Sequence, residues 1–467
     1  MSENPIDEDY TISFRQRVIA SGSRPTTVAG SATKFDTRTI IDSPSPYYFG
    51  TSVFVSGSRM VSSAPGLGDT GGRVYIYNHN GSSWINTATL SGSHLDADDG
   101  IAFGGRSTDE TSYNRSCWIR DSRILIGAGQ EEKNNDNQYI GAAYMFTSAS
   151  EGWGRTRLQV SGASSTSTYG YGASVLLADD FFAIGHPSEY QDLAYENTGN
   201  PQGVIFTYNY GETNGNDYVQ ILTSSHRGSA SYPGFGTAMA YDYKNRLLIT
   251  SQATNPERVE VFASSSTKGW NVSQTIINPA GATTRFGQSV DCFEDYLIIG
   301  SHRSGSGTSG AAYIYKYAGS QYSLEKLIEG TVNNQELGRS VSITSGSIGG
   351  VTAAIGSELE NDEAMDGMVY IYHSSSVNGW VAGTTLKSIS TNASLNSYGL
   401  AVYIDRDNLI VGANDEDTKG RTYIYEPKIV PGVETDSIFR FGSRGAFNLR
   451  SQGPRNPYRT FVGNEKK

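Results

Sequence analysis

Short apolar segments recur along most of the chain, separated by polar turns rich in Gly, Ser and Asn. The most regular segment has four residues of the type VYIY, as at positions 74–77, 369–372 and 422–425. Alternation of β-branched and aromatic side chains over four to seven positions is typical of a β-strand, and no segment keeps a helical period. The pattern therefore predicts an all-β chain built from many short strands.

The apolar segments occur in a fixed order that repeats seven times, and each repeat opens with an aromatic residue followed by Gly. In the sixth repeat Leu337 replaces the aromatic residue. The seven repeats start at Phe49, Phe103, Tyr171, Phe235, Phe286, Leu337 and Tyr398. Three apolar segments follow, and a fourth opens with an aromatic residue and has an aliphatic one six positions later, as in Trp380 and Leu386. Because an even spacing puts both side chains on one side of a strand, this fourth segment is also predicted to be a strand. Each complete repeat therefore predicts four strands.

Seven repeats of four strands predict a seven-bladed β-propeller with four-stranded antiparallel blades. The seventh repeat lacks its fourth segment after residues 422–425. The segment 35–43, ahead of the first repeat, has the same spacing, with Ile41 six positions after Phe35. We expect this segment to close blade seven as its outer strand, with Phe35, Ile40 and Ile41 buried. Such closure also removes an exposed sheet edge, which would otherwise favour aggregation.

The two ends of the chain have no such pattern and are predicted to be extended arms. The predicted domains are an N-terminal arm at 1–32, the propeller at 33–427 and a C-terminal arm at 428–467. Arg and aromatic residues are enriched at the energetic centres of protein interfaces. We predict an assembly interface formed by Phe439, Arg440, Phe441, Arg444, Phe447, Arg450, Arg455, Tyr458, Arg459 and Phe461. A disordered tail is the alternative interpretation of this composition.

The Phe-Gly starts and the second segments that end in Gly, such as FGTSV and LIVGAND, resemble the FG-GAP repeat. This repeat is the unit of integrin α-chain propellers and of related bacterial-surface and phage proteins. The resemblance covers residues 35–427 and implies a propeller used for adhesion, for structure or occasionally for catalysis. Many such repeats carry a calcium loop between strands one and two. Here those connections are tight turns such as FEDYL and DRDNL, so no metal site is expected there.

Composition and charge narrow the range of partners. The net charge of −11 opposes a nucleic-acid partner, which requires clustered Lys and Arg. No apolar run reaches the ~18–20 residues that cross a bilayer, and the first residues have no signal-peptide pattern, so neither membrane insertion nor a leader is expected. The two cysteines, Cys117 and Cys292, fall in repeats two and five and are expected to be free thiols.

Candidate chemistry is sparse. Six histidines are scattered without metal-ligand spacing, although His186 and His302 both follow a second strand and could share one rim. Acidic residues cluster in the strand two-to-three loops, at Glu131, Glu132 and Asp136, at Glu358, Glu360, Asp362, Glu363 and Asp366, and at Asp415, Glu416 and Asp417. Solvated loop charge is the main interpretation, and weak cation binding is the alternative. We expect no catalytic residues and no cofactor, because no nucleophile, phosphate or dinucleotide motif is found.

Long polar insertions fall on one predicted face of the ring, where connections between strands two and three and between blades emerge. They occupy residues 94–101, 130–140, 187–201, 226–233 and 357–366. The first hypothesis is a non-enzymatic phage virion component that assembles in the host cytoplasm. It would bind other virion proteins through its arms, bind a host glycan or protein through its loops, and form part of an oligomer. A secreted or cell-surface carbohydrate-binding propeller is the second hypothesis, and a polysaccharide-degrading enzyme is the third.

Overall fold

The strands and many of the turns of the chain are described by a computed structural model. The described residues are 32–44, 48–65, 71–92, 103–105, 115–130, 141–150, 152–161, 170–187, 203–211, 215–225, 234–252, 257–265, 269–281, 284–346, 350–357, 367–375, 378–390, 397–406, 408–430, 437–440 and 446–449. The chain divides into a large unit at 35–346 and 350–427, and a small unit at 1–34, 347–349 and 428–467. The large unit contains the propeller.

The described residues of the large unit form seven four-stranded sheets, which are the blades. The first strand of the chain, β1 (Ala32–Asp42), belongs to blade seven. The strands of blades one to three are β2 (Val53–Ser56), β3 (Arg59–Ala64), β4 (Arg73–His79), β5 (Trp84–Ser91), β6 (Cys117–Arg120), β7 (Arg123–Ala128), β8 (Ala142–Ala149), β9 (Gly152–Leu158), β10 (Ser174–Leu177), β11 (Phe181–His186), β12 (Val204–Asn209) and β13 (Gln220–Leu222). Those of blades four to six are β14 (Phe235–Asp242), β15 (Leu247–Gln252), β16 (Arg258–Ser265), β17 (Gly269–Ile277), β18 (Ser289–Phe293), β19 (Tyr296–Ser301), β20 (Ala311–Tyr317), β21 (Tyr322–Glu329), β22 (Leu337–Ser345), β23 (Val351–Ser357), β24 (Met368–Ser375) and β25 (Gly379–Lys387).

Blade seven is completed by β26 (Tyr398–Ile404), β27 (Leu409–Ala413) and β28 (Arg421–Val430), with β1 beside β28. The predicted closure of the ring by an N-terminal strand is therefore confirmed. The observed strand begins three residues before the predicted segment and ends one residue before its last position. Phe35 is buried in a cluster with Val402 and Tyr425, which lie in β26 and β28. Ile40 and Ile41 are only partly buried, in contrast to the prediction: Ile40 packs on the same cluster, and Ile41 packs against the core that blade seven shares with blade one.

The burial of each strand follows its distance from the axis. The first two strands of a blade are mostly buried, as in β14 and β15, because neighbouring blades cover both of their faces, whereas third strands such as β8 become exposed at one end. The outer strands alternate between buried and exposed positions, as expected for a strand with one solvated face. Trp380 and Leu386 of β25 are both buried, which confirms the six-residue spacing as the mark of the fourth strand. The first strands contact one another in order around the axis, and β26 contacts β2, so the ring is closed.

The Phe-Gly pair of each repeat forms the joint between two blades. Except in repeat six, where Leu337 replaces it, the aromatic ring packs against strand three of its own blade, as Phe49 does edge-on against Tyr75 with ring centroids 5.7 Å apart. Its glycine has a φ near +90° and lies against the preceding blade, so that a Cβ on Gly50 would come 2.5 Å from the Arg421 carbonyl oxygen. Only Gly combines this φ with so close a backbone approach. A Cβ on Gly412, at the end of β27, would in turn lie 1.9 Å from the Gly50 oxygen.

Blade two departs from the regular repeat. Phe103 forms the usual joint and packs 5.3 Å from Tyr144, but the first strand does not begin until Cys117. Residues 106–114, which separate the two, lie outside the described residues. The joint and the inner strand are thus separate parts of the repeat. An insertion between them explains why this repeat lacks the small residue and the apolar residue that follow soon after Gly in the other six.

The described part of the small unit contains a two-stranded antiparallel hairpin. Strand β29 (Ser437–Arg440) pairs with β30 (Ala446–Leu449), with Ser437 opposite Leu449. Across the described ranges of both units, no helix has the length and apolar character needed to cross a membrane.

Candidate functional site

A cavity of about 270 Å³ lies at the axis, at the end of the ring formed by the turns between strands one and two. We call this end the turn face and the opposite end, where the long insertions fall, the loop face. The cavity, which we call the axial pit, is lined by Phe54, Val55, Ser56, Gly57, Trp118, Ile119, Arg120, Tyr243, Tyr403, Asp405 and Arg406. These residues come from blades one, two, four and seven.

The wall of the axial pit is aromatic because one position of the innermost strand faces the axis in every blade. Phe54, Trp118 and Tyr403 occupy this position in β2, β6 and β26, each opposite an aliphatic residue of the second strand. The rings of Phe54 and Tyr403 stack with centroids 3.8 Å apart, and Trp118 lies 4.6 Å from Phe54. Three large rings from consecutive blades therefore narrow the axis at this level.

A buried ion pair crosses the axis beside these rings. Arg115, from the connection into β6 of blade two, contacts Asp291 in β18 of blade five, with Nη1 to Oδ1 and Nη2 to Oδ2 both at 3.0 Å. Its guanidinium lies 5.7 Å from the centre of Trp118 and 5.5 Å from that of Tyr403. Burial acts to lower the pKa of Arg115, but the Asp291 carboxylate raises it above its usual value, so the side chain stays charged.

The Asp291 carboxylate is held by further donors from blade six. Its Oδ2 accepts hydrogen bonds from Ser342 Oγ at 2.7 Å and from the Ile343 amide at 3.0 Å. Arg115 also donates to the Val341 carbonyl oxygen at 3.3 Å. Both charges are thus paired and hydrogen-bonded, which is the condition under which buried charges are tolerated. This network joins blades two, five and six across the axis.

The rim of the axial pit carries charged side chains held by neighbouring blades. Arg120 donates from Nε to Asp179 at 2.8 Å, and its guanidinium lies 4.2 Å above the ring of Tyr243. Burial raises the pKa of Tyr243, whose neutral hydroxyl donates to the Leu177 carbonyl oxygen at 2.9 Å. Asp405 accepts from the amide of Gly57 at 2.9 Å, which ties blade seven to blade one.

The acidic turns on the turn face connect blades. Arg246 of blade four pairs with Asp180 of blade three at 2.7 Å, and Lys244 of blade four pairs with Asp295 of blade five at 2.5 Å. One of these turns is FEDYL, which contains Asp295. From the sequence, this turn was noted only because it lacks the carboxylate spacing of a calcium loop. In the described ranges no cluster of three or more His, Cys, Asp or Glu residues could hold a metal ion.

Several sequence-predicted site residues lie outside the described part of the chain or lack described side chains. Phe439, Arg440 and Phe447 belong to the β29–β30 hairpin, and their side chains are not described. The rest of the predicted assembly interface lies outside the described residues. So do all residues of the first two acidic clusters and nearly all residues of the long insertions. The prediction of an assembly interface therefore stays a prediction.

The third acidic cluster and the two histidines form internal contacts. Glu416 is fully buried and accepts from Arg421 Nη1 at 2.7 Å and from the Tyr423 hydroxyl at 2.6 Å. His186 and His302 are both fully buried at the ends of second strands, so neither is an exposed rim histidine. Arg339 Nη1 donates to His302 Nε2 at 3.4 Å, and burial, together with Arg339, holds the pKa of His302 well below its usual range.

The sequence reasoning missed the axial residues, although one signal for them was present. Trp118, Asp291 and Tyr403 each lie opposite the residue two positions before the strand-two glycine of their blade, and Phe54 has the same place in blade one, where Ser63 replaces that glycine. Because the innermost strands converge on the axis, large or charged residues at this position must meet. Arg115 could not be found in this way, because it lies before β6 and has no position in the aligned strands.

Comparison with protein families supports the interpretation of the repeats. The FG-GAP repeat family matches residues 270–315, which run from the outer strand of blade four into strand three of blade five. The chain is an FG-GAP-like seven-bladed propeller. This FG-GAP-like fold is consistent with a non-enzymatic adhesion or binding role. A search of curated proteins gives no match to the chain.

Proposed function

We propose that the chain is a non-enzymatic attachment protein, in which the propeller presents binding loops and the arms join it to an assembled particle. The observation that carries this proposal is the joint between blades, where the Phe-Gly backbone of one blade lies against the backbone of the one before. Close-packed joints of this kind fix the loop ends relative to one another. Variable loops on a fixed scaffold are a common basis for binding surfaces.

The particle that this proposal favours is a phage virion assembled in the host cytoplasm. Both cysteines are free thiols, as expected for a protein that folds in a reducing compartment. Cys117 is buried, and burial raises the pKa of its thiol to about 12, so it stays protonated. In this proposal the arms bind other virion proteins, the loop face binds a host glycan or protein, and the protein acts as part of an oligomer.

A secreted or cell-surface carbohydrate-binding propeller is the second candidate. The axial pit supports it, because an aromatic wall with a few fixed polar groups at its rim is typical of a small-ligand site. The two candidates differ in what the arms do, since a cell-surface lectin does not require incorporation into a particle.

Deletion variants in the producing phage or cell test the first candidate. Removal of residues 431–467, which leaves β28 intact, should leave the melting temperature of the propeller unchanged but abolish incorporation into purified particles, measured by mass spectrometry of their proteins. As a matched control, replacement of the loop at 358–366 by a short Gly-Ser linker should keep incorporation and reduce adsorption of particles to host cells. Absence of the intact protein from purified particles, with antibody labelling of the producing cell surface instead, would favour the second candidate.

A further inference from the structure

The axial pit has the dimensions and lining of a site for one small ligand. Its volume of about 270 Å³ lies just below the usual range of small-ligand pockets, so it admits one ring and excludes a folded segment. We infer that the axial pit binds a single carboxylated sugar, a hexuronic acid at the end of an acidic glycan. This site lies on the turn face, opposite to the loops used in the proposed function, and the inference holds whether or not the chain is part of a particle.

The position of the axial pit favours the end of a chain over its middle. Its lining residues come from the innermost strands and the following turns of blades one, two, four and seven, which are arranged around the axis. A groove along the face would be lined by one or two neighbouring blades, and a glycan could pass through it. A pit surrounded by several blades accepts a terminal unit.

The aromatic wall suits the apolar face of a sugar ring. Tyr243 is 38% exposed, and Tyr403 is partly exposed at the same level as the buried rings of Phe54 and Trp118. A pyranose presents C–H groups on its faces and hydroxyl groups at its edge, and Tyr and Trp combine an apolar body with a polar end. Rings held by stacking and by the blade joints need little reorganisation on binding, which favours affinity.

The charged groups at the rim favour a carboxylate on that sugar. Arg406 is exposed, and the Arg120 side chain remains 31% exposed while its Nε and Nη2 contact Asp179. Among the lining residues two guanidinium groups stand against one carboxylate, that of Asp405, which already accepts from the amides of Gly57 and Asn408. Guanidinium groups match carboxylates in a two-bond geometry. A cationic ligand is disfavoured, because Arg120 and Arg406 both line the axial pit.

Ligand-observed NMR on the full-length protein tests the inference, with methyl glucuronide, methyl glucoside and acetate as probes. We expect the wild type to bind methyl glucuronide, and Arg406→Ala to weaken this binding by about tenfold with little effect on the neutral glucoside. Ser56→Trp places an indole in the axial pit from an exposed position and should abolish binding of both sugars. Arg246→Ala removes an equal charge on the same face, away from the pit, and should change binding by less than about twofold. The melting temperature of each variant shows that it is folded.

Three results would overturn the inference. The first is no binding of methyl glucuronide to the wild type at millimolar concentration. The second is binding that survives Ser56→Trp, which would place the sugar elsewhere on the ring. The third is acetate, or a short peptide with a free terminal carboxylate, binding as tightly as the glucuronide. In that case the site recognises a carboxylate or a peptide end and not a sugar.

Discussion

Arg115 and Asp291 are buried charges from opposite parts of the ring, and they form an ion pair with each other. Only about a tenth of either side chain is exposed. Transfer of two charges from water into a protein is unfavourable, and their attraction offsets it only where geometry and additional hydrogen bonds are good. Both conditions hold here, since two nitrogens meet two oxygens and blade six supplies further donors. The pair is therefore sensitive to the loss of one partner.

Replacement of Arg115 by Ala leaves the Asp291 carboxylate buried without its cation, and we expect the free energy of unfolding to fall by about 3–5 kcal/mol. Urea titration followed by tryptophan fluorescence measures this change. The control is Arg246→Ala, which breaks a pair whose side chains are 65% and 56% exposed and should change stability by about 0–1 kcal/mol. Equal effects of the two substitutions would contradict the role assigned to the axial pair.

His302 predicts a dependence of stability on pH. Its pKa in the folded protein is lowered well below the usual 6.5, because the ring is buried and lies beside Arg339. As the pH falls below about 6.5, the unfolded chain binds a proton that the folded chain does not. The stability contributed by neutral His302 is therefore present above pH 6.5 and is lost as the pH falls towards the folded-state pKa.

Below pH 6.5 this loss should grow by at most roughly 1.4 kcal/mol for each pH unit, until the folded-state pKa is reached. Urea titrations at pH 7.5 and pH 5 measure it, and the variant His302→Gln should show a smaller loss over the same range. If both proteins lost stability equally, the effect would have to come from other groups.

At the scale of strands, the blade joint depends on glycines that leave room for the neighbouring backbone. We expect Gly412→Ala to destabilise the protein by about 1–3 kcal/mol, because its Cβ would lie 1.9 Å from the Gly50 oxygen. Gly154→Ala is the control, since its Cβ would have only one neighbour, at 3.7 Å, and should be neutral or slightly stabilising. Thermal unfolding measures both. A Gly412→Ala protein as stable as the wild type would show that the joint can relax.

The strands could be predicted from the sequence because their determinants are local. Alternation identifies a strand within a few residues, and Trp380 with Leu386 marks an outer strand without reference to any other blade. The axial pit could not be predicted in the same way. Phe54, Trp118 and Tyr403 are far apart in the chain, and their contact depends on how the blades converge. The burial of His302 was missed for a related reason, since Arg339, which contacts it, belongs to the next blade.

At the scale of the whole molecule, the ring depends on a strand from the opposite end of the sequence. A chain that starts at Tyr48 lacks β1 and should aggregate or melt far below the full-length protein, because β28 becomes an exposed edge. Differential scanning calorimetry with light scattering measures both outcomes. An unchanged melting temperature would mean that β1 contributes nothing to closure.

A single substitution tests the same closure without shortening the chain. Phe35→Ala removes a buried ring from the cluster that joins β1 to blade seven, and should reduce stability by about 3–5 kcal/mol. Leu324→Ala removes a side chain that is 48% exposed on the outer strand β21, and should change stability by less than about 0.5 kcal/mol. Chemical denaturation of the two variants gives the comparison.

The pairing of β1 with β28 also has a consequence for biosynthesis. The N-terminal partner leaves the ribosome first, but its place in blade seven does not exist until Tyr423 and Tyr425 have been translated. Chains emerge at about 5–20 residues per second, so β1 waits many seconds for its neighbour. A prematurely terminated polypeptide can fold most of its blades but never completes the last. Completion of the ring thus reports that translation has passed the end of the seventh repeat.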